Sequence, residues 1–87
     1  MPDRTKAIST RLVETRIALG FAEQAAFARE LGIAKNTWNA FETADRRISI
    51  GAAFKLRERF RIPLDWTYYG DSRNLPDAVW EKIRKSA

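Results

Sequence analysis

A chain of 87 residues with 45% apolar and 11% aromatic content has room for one modest hydrophobic core; a second domain or wholesale disorder does not fit. It contains neither cysteine nor histidine, which removes disulfides, thiolate nucleophiles, imidazole bases and nearly all zinc or haem ligation. The net charge of +5 suits a polyanionic partner.

The charge is unevenly spread. Residues 1–20 sum to +2, residues 21–47 to zero, residues 48–70 to +2 and residues 71–87 to +1. The acids are scattered singly and mostly beside bases, so no metal and no cofactor are expected. An enzyme is a poor reading, because a domain this small has little room for a pocket around a carboxylate pair or an activated lysine. No apolar run is long enough for a signal peptide or a membrane span, so a cytoplasmic protein is expected.

In chain order, residues 1–5 read as a short loose arm with Arg4 and Lys6 near its end. From Lys6 to Leu19, Ile8, Leu12, Thr15 and Leu19 recur on one helical face, and Gly20 stops the run. Thr15 stands where an aliphatic residue is expected and offers its hydroxyl to the preceding turn. Between Gln24 and Glu42 lie two short apolar-periodic runs, one carrying Phe27, Ala28 and Leu31, the other Trp38 and Phe41. Gly32 separates them, a residue able to take the positive φ at which a helix ends. The pattern predicts helix, tight turn, helix. The second run carries Lys35, Asn36, Thr37, Asn39 and Ala40 on its outer side, short donors and acceptors plus a methyl of the kind that reads base edges in the major groove.

Arg46 and Arg47 follow and are assigned to the phosphate backbone, although Asp45 places a negative charge beside them. Ser49 is a good N-cap for a fourth helix from Ile50 to Arg61, with Ile50, Ala53, Phe54, Leu56 and Phe60 available to the core and Lys55, Arg57, Arg59 and Arg61 outside. Pro63 starts a fifth helix, Leu64 to Tyr69, ended by Gly70. After a polar linker, Pro76 opens a last short helix with Val79, Trp80 and Ile83 on one side. Trp66, Tyr68 and Tyr69 present more aromatic surface than one small core can bury. Two readings of the C-terminal apolar face therefore stay open: it packs on its own core, or it joins helix five in a twofold interface.

Four stretches together resemble the lambda-repressor-like (Xre or Cro-like) helix-turn-helix family. They are Gln24; Phe27-Ala28 with Leu31-Gly32-Ile33; Thr37-Trp38-Asn39-Ala40-Phe41-Glu42; and Pro63-Leu64-Asp65-Trp66 with Tyr69-Gly70. The likeness runs from about Ile8 to Gly70. It implies an all-α fold, a five-helix DNA-binding domain over residues 1–70, with residues 71–87 as a linker and a short extra helix for dimerisation or core capping. By the same resemblance the third helix reads double-stranded DNA. Lys35, Asn36 and Ala40 fall to base contacts, and Gln24, Thr37, Asn39, Arg46 and Arg47 to backbone or groove-edge contacts.

The resemblance also places Arg16 opposite Glu42, as a buried pair setting the tilt of helix three on helix one. Relatives commonly cap helix two with Thr or Ser where Glu23 stands, and follow the third helix with Asn-Gly where this chain has Thr43-Ala44. Relatives often bind as homodimers. The function implied is a dimeric repressor that regulates transcription; the alternative is an antitoxin or adaptor that docks a protein partner through Trp66, Tyr68, Tyr69, Val79, Trp80 and Ile83.

Overall fold

A computed structural model describes residues 4–86. The chain is all-helical, with six helices and no strand among the described residues: α1 (Arg4–Ala18), α2 (Gln24–Leu31), α3 (Lys35–Glu42), α4 (Ile50–Phe60), α5 (Leu64–Tyr69) and α6 (Asp77–Ser86). The Cα radius of gyration is 11.8 Å, close to the roughly 12 Å of a compact domain of this length. Arg4 and Thr5 belong to α1 rather than to an arm; the remainder of the expected arm, residues 1–3, lies outside the described residues.

The helix ends follow from local chemistry. Gly32 takes φ 69° and closes α2, with its own N–H on the Arg29 carbonyl and the Ile33 N–H on the Ala28 carbonyl at 2.9 Å. This left-handed closure folds Ile33 back under the turn. Three residues later α3 begins behind Ala34, in extended backbone with no side-chain cap. Ser49 does cap α4, accepting the Ala52 N–H at 3.2 Å. Ala44 and Arg61 are the described non-glycine residues at positive φ, 63° and 61°. The chain thus drives an alanine into the left-handed region to leave α3, and the Arg46 N–H closes the bend on the Ala40 carbonyl at 3.1 Å.

The core has two lobes. Around α2 and α3, Phe27 and Trp38 are fully buried and pack in an aromatic cluster with Phe21, Phe41 and Phe60, ring centroids 5.1–6.0 Å apart. The second lobe joins α1, α5 and α6. Here Thr15 is buried, and its hydroxyl donates to the Arg11 carbonyl at 2.6 Å while accepting the Trp66 indole N–H at 2.9 Å. A position that looked too polar for the core is thus a pin between α1 and α5, its hydroxyl satisfied as donor and as acceptor.

α6 packs on α1 and takes its apolar side into this lobe. Trp66, Val79 and Ile83 are buried, Trp80 is half-buried with its ring edge-on to Trp66 at 5.9 Å, and Tyr68 is half-buried. Within the chain the apolar side of α6 therefore packs on its own core, the first of the two readings, while Tyr68 and Trp80 keep part of their surface open. Tyr69 remains outside, 70% exposed.

α4 departs from expectation in another way. With its start fixed by Ser49, the 100° step per residue turns Ala52, Ala53 and Leu56 inward, and leaves Ile50 and Phe54 56% and 48% exposed instead of in the core. Gly70, at φ 75°, ends α5 beneath Arg11, whose guanidinium lies 3.0 Å from where a Cβ would stand.

Because alanine pays for its left-handed conformation at residue 44 and glycine does not, Ala44→Gly is expected to raise stability by about 0.5–1 kcal/mol. A urea titration followed by tryptophan fluorescence should show the midpoint rising with an unchanged slope; a fall would mean that the bend is not strained.

Candidate nucleic-acid interface

The local chemistry of α3 separates an inner side that is fully used from an outer side that is not. Trp38 and Phe41 hold the inner side in the aromatic cluster, and the Ser9 hydroxyl donates to the Phe41 carbonyl. At the helix end, Glu42 collects donors from three helices. Arg16 of α1 gives Nε to Oε2 at 2.7 Å and a terminal nitrogen to Oε1 at 3.2 Å; Gln24 of α2 gives Nε2 to Oε1 at 2.8 Å; Trp38, one turn back in α3, gives its indole N–H to Oε2 at 2.5 Å. The other terminal nitrogen of Arg16 donates to the Phe21 and Ala22 carbonyls at 2.9 and 2.7 Å, which closes the connection between α1 and α2.

The Arg16 and Glu42 side chains are only 9% and 3% exposed. At that depth, an ion pair keeps its value only if its remaining donors and acceptors are matched, and here they are. By contrast, Arg59–Glu30, also at 2.7 Å, is 55% and 42% exposed and contributes far less.

On the outer side Lys35 and Asn36 are exposed, and Thr37, Asn39 and Ala40 are half-buried. The helical step places Lys35, Asn36, Asn39 and Ala40 over about 140° of one face. The side chains of Lys35, Asn36, Thr37 and Asn39 have no hydrogen-bond partner among the described residues, although backbone atoms of this turn are paired. The Lys35 and Asn36 groups face solvent, and those of Thr37 and Asn39 are half-buried.

Other expected site residues are distributed differently. Gln24 donates its amide nitrogen to Glu42 and so braces α3; it opens α2, which has Glu23 at its N-cap and no side-chain cap on its first N–H groups. Arg46 is exposed and makes no side-chain bond among the described residues. Arg47 is exposed too, but its Nε donates to Thr5 Oγ1 at 3.1 Å, which ties it to the start of α1. Next to it, the Tyr68 hydroxyl donates to the Ile48 carbonyl at 3.1 Å; burial pushes this phenol's pKa up, against the opposing pull of Arg47. The two adjacent arginines thus have different surroundings.

Sequence reasoning missed two groups that hold α3, Ser9 and the Trp38 indole nitrogen. The second had a visible signal, since Trp38 and Glu42 are four residues apart on one helix. No group of three or more metal-ligating side chains occurs among the described residues, and no described helix is long and apolar enough to cross a membrane. Compared with family models, with curated proteins and with solved structures, the chain matches none.

Arg16→Ala leaves the Glu42 carboxylate buried with only Gln24 and Trp38 for partners, and is expected to cost about 3–5 kcal/mol. Arg59→Ala should cost about 1 kcal/mol or less. Equilibrium unfolding of both variants checks this contrast, and similar losses would show that the buried pair does not organise the fold.

Proposed function

We propose that the chain is a sequence-specific DNA-binding regulator of the lambda-repressor-like kind, with α2, the turn at Gly32 and α3 as its helix-turn-helix and α3 as the reading helix. The observation that carries this reading is the two-sidedness of α3. Its inner side is fixed by the aromatic cluster and by the four bonds to Glu42, while Lys35, Asn36, Thr37 and Asn39 keep their hydrogen-bonding groups uncommitted. A rigid helix with an open polar face supports base reading, because little side-chain rearrangement is needed before contact.

In this reading Asn36 makes the paired contact to adenine, Lys35 donates to guanine, and Ala40 meets a thymine methyl. Thr37 and Asn39 serve the groove edge, and Arg46 with the open N-terminus of α2 holds phosphates. The neutral charge sum of residues 21–47 implies few phosphate contacts per subunit and a modest salt dependence. Pairing into a homodimer, with reading helices about 34 Å apart, would multiply them. Repression follows where the operator overlaps a promoter. The adaptor alternative has less support, since Trp66, Val79 and Ile83 of the surface that it requires are buried in the chain and Tyr68 and Trp80 are half-buried.

Selection of binding sites from random-sequence DNA, followed by titration of the selected and a scrambled duplex, tests the proposal. The wild type should prefer the selected duplex by at least about 10³-fold. Asn36→Ala should lower that preference by about 1–3 kcal/mol, while Arg46→Ala weakens both duplexes alike and reduces the salt slope by about one. Failure to enrich any sequence, with equally weak binding by all three proteins, would remove the DNA-reading proposal.

A further inference from the structure

Away from the outer face of α3, three separate segments meet around a depression of about 160 Å³: Arg4 and Ile8 from α1, Arg47 from the loop before α4, and Tyr68 and Tyr69 from α5. Ile8 is part of the core and gives it an apolar floor. Arg4 lies over the Tyr69 ring, 5.6 Å from its centroid, and Tyr69 is left uncovered by any described residue of the core. Arg47 uses only Nε within the chain, and neither Arg4 nor Arg47 has a carboxylate partner among the described residues. The first turn of α1 has no acidic residue. Two guanidinium groups without a carboxylate partner among the described residues, an apolar floor and an exposed aromatic ring therefore converge in one place.

These groups define a ligand. The guanidiniums call for an anion, and a planar carboxylate matches their geometry. A bare phosphate would leave the floor and the ring in contact with water. The space is well below the usual range for drug-sized ligands, so the molecule must be small.

We propose that this depression binds a small aromatic carboxylate, its carboxylate held by Arg4 and Arg47 and its ring on Tyr69 above Ile8. The Tyr68 phenol, neutral at pH 7 and donating to the Ile48 carbonyl, adds no repelling charge. This site does not depend on the DNA-reading proposal. Where both hold, the ligand competes with any DNA phosphate for Arg47, and binding of one weakens the other by linkage.

Benzoate is the probe, titrated into the full chain at constant ionic strength and followed by ¹H–¹⁵N NMR. Saturating shifts at Ile8, Tyr68 and Tyr69 are expected, with half-saturation on the order of 1 mM for a ligand of about nine non-hydrogen atoms. Arg4→Gln and Arg47→Gln should each weaken binding at least about fivefold, since each removes a charge-assisted contact. Arg46→Gln should leave it unchanged, and all three arginines are exposed, so their loss does not threaten the fold. Shifts that never saturate, equal half-saturation in all variants, or inorganic phosphate binding as tightly as benzoate would each overturn the assignment.

Discussion

The structure depends on one carboxylate at the end of α3. Glu42 is buried, and a buried charge is tolerated only where its lone pairs are matched. The matching donors come from Arg16, Gln24 and Trp38, which belong to three helices. Satisfying one acid therefore fixes three axes at once. Arg16 extends the constraint by holding the Phe21 and Ala22 carbonyls, so the connection from α1 to α2 has little freedom.

That constraint explains the asymmetry of α3. Its inner side carries two large aromatics and the anchored acid, and it cannot rotate without breaking polar contacts in a dry site. The outer side is short, polar and unbonded. An eight-residue helix is too short to persist by its own propensity, so its order is borrowed from the core and from Glu42. The left-handed Ala44 is the local counterpart: the contacts around α3 are strong enough to hold the chain in a bend that alanine disfavours.

The second lobe uses a neutral version of the same device. Thr15 joins Arg11 and Trp66 through a single hydroxyl, so α5 is keyed to α1 by geometry as well as by apolar contact. α6 then covers this lobe. The result leaves Ile17, Ile50, Phe54 and Tyr69 as the exposed large apolar side chains among the described residues, on α1, α4 and α5, with Ile50 and Phe54 one turn apart on α4.

Much of this was readable from residue order. Helical periodicity, Gly32, Ser49, Pro63 and Gly70 marked the helices to within a residue or two, because caps and breakers act locally. The inward places of Phe27, Leu31, Trp38 and Phe41 followed from spacing alone. The pairing of Arg16 with Glu42 was legible only through resemblance, since nothing local links residues 26 apart in sequence. Three matters were left to tertiary structure. Ile50 and Phe54 are as apolar as any core residue, and only the rotation of α4 about its axis decides that they stay outside while Ala52 faces inward with Ala53 and Leu56. The apolar side of α6 has the same pattern whether it meets its own chain or another, and the open surface of α1 decided it. Arg46 and Arg47 are neighbours of identical chemistry, and the approach of Thr5 and Tyr68 to Arg47 sets them apart. Periodicity determines that a helix has an apolar side; what that side meets depends on where the other helices lie.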